Sequence, residues 1–211
     1  MGHKINPIAY RLGVNIDWPS RWAVSQKKQY QEFLLEDAKL RRFLEKRLAL
    51  AGLIAVNIER SFNKMEITLQ TSRPGVVIGR GGKSLEALKK ELCQIVSIEE
   101  PQKNLEIRIE EVEKPELSAL FVAQKIADQL KRRLPYRQVA QREMERVMEA
   151  GAQGIKVRLA GRIGGANIAR QEKFSRGKVP TSTIRANIDY AEFPALTSKG
   201  YVGVKVWINR D

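Results

Sequence analysis

The sequence predicts a mixed α/β (α+β) chain of two domains, and three observations carry that prediction. Apolar residues alternate in two separate sets of strand-like runs, each set with its own helical periodicities. A glycine-rich stretch, Arg73-Pro-Gly-Val-Val-Ile-Gly-Arg-Gly-Gly-Lys-Ser84, runs straight into a helical pattern. Between the two sets stands Glu113-Lys-Pro-Glu116, where proline halts a strand and suits the first turn of a helix. The expected organisation is a basic N-terminal arm over 1–20, a first domain over 21–112 and a second over 113–211.

The arm carries Pro7, Gly13 and Pro19 and little periodic pattern, so it needs a surface to hold it. Trp18 and Trp22 flank a Pro-Ser-Arg turn, and packing on the protein body outweighs stacking on bases for both. A helix is expected over 35–51, from Leu35, Ala38, Phe43, Leu44, Leu48 and Ala51, with Gly52 closing it. Ile54, Val56 and Ile58 alternate as a strand, a turn follows at Ser61–Lys64, and Met65, Ile67 and Leu69 form a second strand of a hairpin. The glycine loop leads into a helix over 83–97, with Leu85, Leu88, Leu92 and Ile95 at spacings of three and four. Leu105, Ile107 and Ile109 give a third strand. The order is helix, strand, strand, short helix at the loop, helix, strand.

The second domain opens with a long helix through Leu117, Leu120, Ala123, Ile126, Ala127, Leu130 and Leu134. Pro135 breaks it, and a helix over about 137–150 ends at Gly151. Three alternating runs follow: Ile155 to Leu159, Ile184 to Ile188 and Val202 to Ile208. The expectation is a two-helix, three-strand α/β domain.

Charge narrows the function. The 211 residues hold 38 Lys and Arg against 24 Asp and Glu, a formal net charge of +14. That surplus points to a polyanion, with nucleic acid ahead of an anionic membrane surface. No run of ~18 apolar residues is present to span a bilayer. The N-terminus has no apolar signal core, and Asn6 stands where a myristoylation signal wants Ser or Thr. A single cysteine, Cys93, precludes an internal disulfide and reads as an inert, packed thiol. With one histidine, His3, and one cysteine, no metal site and no cofactor are expected. Catalytic signals are poor. Glu99-Glu100 and Glu110-Glu111 are charges on element faces, and there is no G-x-S-x-G.

Three constellations suit phosphates. In the glycine loop, Gly79, Arg80, Gly81, Gly82 and Lys83 combine backbone access, basic side chains and a helix N-terminus. It is not a P-loop, because Val77 occupies the place of the first glycine. A G-x-x-G loop joining two short helices is the K-homology (KH) device for clamping single-stranded backbone. The second constellation, Lys131, Arg132, Arg133, Arg137 and Arg142, straddles the break between two helices with no acid among residues 131–142. A helix C-terminus accounts for the first three cations but not for Arg137. The third runs from Lys156 to Lys178, with Arg158, Arg162, Arg170, Lys173, Arg176 and Lys178 against the one acid Glu172. It reads as a loop, Gly161 to Lys178, in which Gly164 and Gly165 let cations and backbone both approach phosphates.

The element order around the glycine loop resembles the type II KH fold. Gly161-Arg-Ile-Gly-Gly-Ala-Asn-Ile-Ala-Arg170, Gly177-Lys-Val-Pro180, Ile184-Arg-Ala-Asn-Ile-Asp-Tyr190 and Gly203-Val-Lys-Val-Trp207 resemble the signature of the small-subunit ribosomal protein three family of bacteria and plastids. Met1-Gly-His-Lys-Ile-Asn-Pro7 and Arg11-Leu-Gly13 resemble its opening, so the likeness spans essentially the whole chain. The resemblance implies a non-enzymatic protein of the small-subunit head, in the cytoplasm or a plastid. Its partners would be small-subunit ribosomal RNA, messenger RNA at its entry and neighbouring ribosomal proteins. It also implies that the cluster around Arg137 helps unwind structured messages. Here Gln138 and Gln141 stand where many members are basic, which leaves Arg132, Arg133 and Arg142 to supply charge. Competing classes are a freestanding KH-type RNA-processing or DNA-repair factor, which would need a catalytic centre, and a membrane-associated protein, which would need an uncommitted amphipathic helix.

Overall fold

The computed structural model describes residues 4–61, 64–96 and 104–210. Met1 to His3, the turn residues Phe62 and Asn63, and Ser97 to Lys103 with Glu99 and Glu100, lie outside the described residues, as does Asp211. The chain divides into two compact units, Trp18–Glu113 and a second that joins Met1–Asp17 to Lys114–Asp211. The N-terminal segment is thus part of the C-terminal unit.

In the first unit, strand β1 (Ser20–Arg21), helix α2 (Lys27–Arg47), β2 (Leu53–Arg60), β3 (Met65–Thr71), α3 (Pro74–Ile78), α4 (Lys83–Cys93) and β4 (Leu105–Glu111) follow in order; α1 (Pro7–Arg11) precedes them in the chain but belongs to the other unit. The sheet order is β1-β2-β3-β4, with β2 and β3 antiparallel and β4 running parallel to β3. Leu40 and Leu44 of α2 with Leu48 just past its end, and Leu88 and Leu92 of α4, bury their side chains against Ile58, Met65, Ile67, Leu69 and Leu105. Helix α2 starts eight residues earlier than the apolar spacing predicts. Its first turns carry Tyr30, Leu34 and Leu35 half exposed, so no core-facing stripe marks them.

One ion cluster ties this unit together. Arg60 at the end of β2 donates to Glu36 Oε2 at 2.9 Å and to Asp37 Oδ1 at 2.6 Å, with all three side chains at most 10% exposed. Asp37 also accepts from Trp22 Nε1 at 2.8 Å and Ser20 Oγ at 3.1 Å. Trp22 packs on Tyr30 and Phe33, so this tryptophan serves the protein body.

The second unit adds α5 (Ala119–Lys131), α6 (Tyr136–Glu149), β5 (Gly154–Gly161), β6 (Arg170–Gly177), β7 (Asn187–Thr197) and β8 (Gly200–Arg210). Its antiparallel sheet has the order β6-β5-β8-β7. Ala119, Val122, Ala123, Ile126, Ala127 and Leu130 form the buried stripe of α5, and Val139, Met144 and Val147 that of α6. They pack on Ile155, Val157, Leu159, Val202, Val204, Val206 and Ile208, which fill one face of the sheet. Ser118 caps α5 by accepting from Phe121 N, and Asp189 accepts from Ala119 N at 2.8 Å while pairing with Arg210.

This mixed α/β architecture is the expected one, with two strands more than alternation reveals, the two-residue β1 and the exposed β6. β6 has Phe174 as its one apolar residue, so hydrophobic periodicity does not mark it. β7 lies beyond the expected run at Ile184 and contains Pro194, which an edge strand tolerates because one side of its backbone is unpaired.

Replacing Arg60 with Leu should leave Glu36 and Asp37 buried without their cation. Such a loss costs about 3–5 kcal/mol. Urea unfolding should show the midpoint fall accordingly, whereas a change under ~1 kcal/mol would mean that the carboxylates find water or protonate.

Candidate nucleic-acid interface

The glycine loop is built as expected between two helices. Pro74 opens the five-residue α3, Gly79 ends it, and a single 3-10 turn over Arg80–Gly82 delivers the chain to α4. Gly79, Gly81 and Gly82 all have positive φ, at 71°, 62° and 79°. Gly82 caps α4 without a side-chain hydrogen bond, so the helix presents its first N–H groups outward. Arg80, Gly81 and Lys83 are exposed. A small pocket of about 190 Å³ lined by Arg47, Leu50, Val76, Val77 and Leu88 adjoins the start of α4 at Ser84.

The break between α5 and α6 is a Schellman turn. Leu134 N donates to Gln129 O at 3.2 Å and Arg133 N to Leu130 O at 3.0 Å, which together cap the last carbonyls of α5. The pattern puts its C′ residue in the left-handed region, where glycine is the usual occupant. Here it is Arg133, at φ 61°, the one non-glycine with positive φ among the described residues. The chain therefore accepts backbone strain and keeps a guanidinium at an exposed corner.

The third constellation is not a loop. Only 162–169 are irregular, with a 3-10 turn at Ile163–Gly165 anchored by the buried Ile163. Arg170, Lys173 and Arg176 sit on β6 and Arg158 on β5. Strand alternation then divides the cations between two faces. Arg170, Glu172, Phe174 and Arg176 stand opposite Gly161, Leu159, Val157 and Ile155, on the face that the helices cover. Lys173 stands opposite Arg158, on the other face. The reason is the strict two-residue period of a strand, which a flexible loop would not impose. Lys178 follows β6, with its carbonyl accepting from Asn209 Nδ2.

The helix face brings the second and third constellations together. A groove of about 550 Å³ is lined by Arg133, Leu134, Tyr136, Arg162, Gly164, Gly165 and Lys199. Lys199, in the turn between β7 and β8, is missed by sequence reasoning because a lone cation in a hairpin turn carries no signal. Beside the groove, Tyr136 donates to Glu172 Oε1 at 2.9 Å and accepts from Arg170 at 2.9 Å. Arg170 and Arg137 approach the same carboxylate at 3.1 and 4.0 Å. Glu172 thus positions two guanidiniums and neutralises one charge. Among the described residues Arg132, Arg133 and Arg142 have no ion pair. Arg137 and Arg142 are exposed on α6, along with Gln138 and Gln141, while Val139, Ala140, Glu143, Met144 and Val147 face inward. Lys131 is paired with Asp128 at 3.2 Å.

Two stability measurements test whether these backbones are shaped for a ligand. Arg133→Gly should raise stability by about 1 kcal/mol, since glycine carries no Cβ penalty in the left-handed region, while weakening RNA binding. A variant that loses stability would show that Arg133 serves packing. In the glycine loop, a Cβ on Gly79 would come within 2.6 Å of Ser84 Cβ, whereas one on Gly81 meets nothing within 4 Å. Gly79→Ala should therefore destabilise the protein by more than ~1 kcal/mol, roughly the cost of the φ alone. Gly81→Asp should cost less than that, because Asp tolerates this conformation, yet lower RNA affinity. Equal losses of stability in both would make Gly81 a packing residue.

The chain matches two family models, the KH domain over residues 39–117 and the Ribosomal protein S3, C-terminal domain over residues 126–208. It is 48% identical over 210 residues to the small ribosomal subunit protein uS3 of Lactobacillus delbrueckii subsp. bulgaricus, covering 100% of this chain and 91% of that protein. It is 47% identical over 208 residues to the uS3 of Gluconobacter oxydans, covering 99% and 89%. A KH unit with its G-x-x-G loop, followed by the cationic α/β unit and matched end to end by these relatives, shows that the chain belongs to the ribosomal protein S3 family.

Proposed function

We infer that this protein is a structural, non-enzymatic constituent of the bacterial small ribosomal subunit that binds ribosomal RNA beside neighbouring ribosomal proteins. The relatives that support this place are bacterial, and none favours a plastid. The observation that carries RNA binding is the helix-side groove, where Arg133, Arg162 and Lys199 converge with the backbone of Gly164 and Gly165. Cations that are poorly neutralised, beside glycines that let a phosphate approach, suit a nucleic-acid backbone read without regard to sequence. The freestanding enzyme has no observation in its favour. No cluster of His, Cys, Asp or Glu able to hold a metal exists among the described residues.

Two finer assignments belong to the same proposal. The glycine loop, Gly79 to Lys83, is a backbone clamp on RNA in the head of the subunit. The ridge of Lys131, Arg132, Arg133, Arg137 and Arg142 borders the path of the messenger at its entry. With Glu172 shared between Arg137 and Arg170, the free charge of the ridge resides mostly in Arg132, Arg133 and Arg142.

Subunits assembled with Arg132, Arg133, Arg137 and Arg142 changed to Gln test both levels. The variant should still cofractionate with small subunits at high salt, held by the rest of its RNA-binding surface, yet translate messages bearing stable hairpins more slowly than unstructured ones. Equal slowing on both messages would reassign the ridge to ribosomal RNA. Failure of the unaltered protein to cofractionate would remove the ribosomal assignment itself.

A further inference from the structure

The face of the C-terminal sheet opposite the helices carries a second cationic groove that the helix-side site does not use. Strand register stacks Lys156, Trp207 and Tyr190 in one row across β5, β8 and β7, and Lys173, Arg158, Lys205 and Glu192 in the next. The N-terminal segment closes the groove from above, so that Lys4, Pro7 and Tyr10 line a cavity of about 590 Å³ together with Lys156, Arg158 and Trp207.

The balance of charge in this groove is unusual. Glu192 is its one acid, and it is engaged by Lys205 at 2.6 Å and by the Tyr190 hydroxyl at 3.0 Å. Lys4, Lys156, Arg158 and Lys173 have no ion pair among the described residues. Arg158 bonds only the neutral Gln171, and its Nε is buried without a hydrogen-bond partner. Burial pushes the Lys156 ammonium below its ordinary value, and Lys4, Lys173 and Arg158 push it further. A cluster of cations that repel one another, with a donor left unsatisfied, favours an anion among them.

The roof is firmly held. Arg11 is fully buried, and its guanidinium donates to the carbonyls of Pro7, Thr181, Thr183 and Ala186 at 2.7–3.1 Å, with no carboxylate. Asn15 adds bonds to the carbonyls of Ile184 and Arg185. This cage fixes the segment that carries Lys4 and Tyr10 against the loop 181–186.

We propose that this outer groove is a separate phosphate site for the RNA backbone, built from β5, β6 and β8 and completed by the docked N-terminal segment. The proposal rests on RNA binding by this chain, and it assigns that binding to two opposite faces of one sheet. The surplus of cations over acids suits consecutive phosphates, and Tyr10 and Tyr190 offer ring surface beside them. An acidic peptide would use the cations but not the rings.

The test uses the full chain and a fluorescein-labelled oligouridylate, titrated over a salt series. The double change Lys156→Gln with Arg158→Gln should flatten the plot of log affinity against log salt by about 0.7 for each phosphate no longer engaged. Changing Arg162→Gln as well should flatten it further, by a similar amount, because the faces act independently. Lys4→Gln, which removes a cation without touching the Arg11 cage, should reproduce part of the first effect. Acylation of lysines read by mass spectrometry supplies the location: RNA should protect Lys156, and poly-glutamate at equal charge should not. If the unaltered protein binds but the Lys156 and Arg158 changes leave the slope as it was, the outer site is overturned while the helix-side groove stands. Protection of Lys156 by poly-glutamate as strong as by RNA would overturn it equally, in favour of an acidic protein partner.

Discussion

Mutual repulsion among the cations is the constraint on which the arrangement of this protein depends. The 38 Lys and Arg cannot all be neutralised by 24 carboxylates, so where each carboxylate goes decides which cations remain free. The buried and half-buried acids are committed to structure. Glu36 and Asp37 hold Arg60 beneath the first sheet, Asp189 joins Arg210 to the start of α5, and Glu143 accepts from Gln129 and Arg146. What they leave over is concentrated at the glycine loop, at the α5–α6 corner and on the outer face of the C-terminal sheet. Unpaired charge is unfavourable in the free protein and is relieved by a polyanion, so the same surplus that strains the isolated chain drives its binding.

Backbone strain follows the same geography. Arg133 holds a position that glycine would fill without penalty, and the strain is tolerated where a guanidinium is wanted at the rim of a groove. The glycine loop solves the converse problem. There the side chain is given up so that a tight turn and an open helix N-terminus can form. One site accepts conformational strain to keep charge, and the other gives up side chains to expose backbone. Both expose hydrogen-bond donors, one through a guanidinium and the other through backbone N–H groups, of the kind that suits a nucleic-acid backbone.

Much of this was legible from the residues in order. The alternation of Met65 to Leu69 and Leu105 to Ile109, the stripes of α5 and α6, and the glycine loop between helices need only local periodicity, because an amphipathic element buries whatever face its sequence makes apolar. Net charge pointed to a polyanion for the same reason: it is a sum over the chain and needs no fold. The start of α2 and the strand β6 were not legible, since each is exposed or polar on the side that would have marked it, and the full extent of β7 was missed because Pro194 interrupts the alternation of Ala191, Phe193 and Ala195.

Which cations share a surface was decided by the tertiary structure alone. A period of two sends Arg170 and Lys173 to opposite sides of one strand, although they lie close together in a stretch that composition reads as a single basic patch. Folding then brings Arg133 beside Arg162 and Lys199, and Lys4 beside Lys156, across separations that no local pattern encodes. The sequence by itself determined the elements and the sign of the charge, because those follow from neighbours along the chain. Only packing, which joins distant residues, determined how that charge is divided into faces.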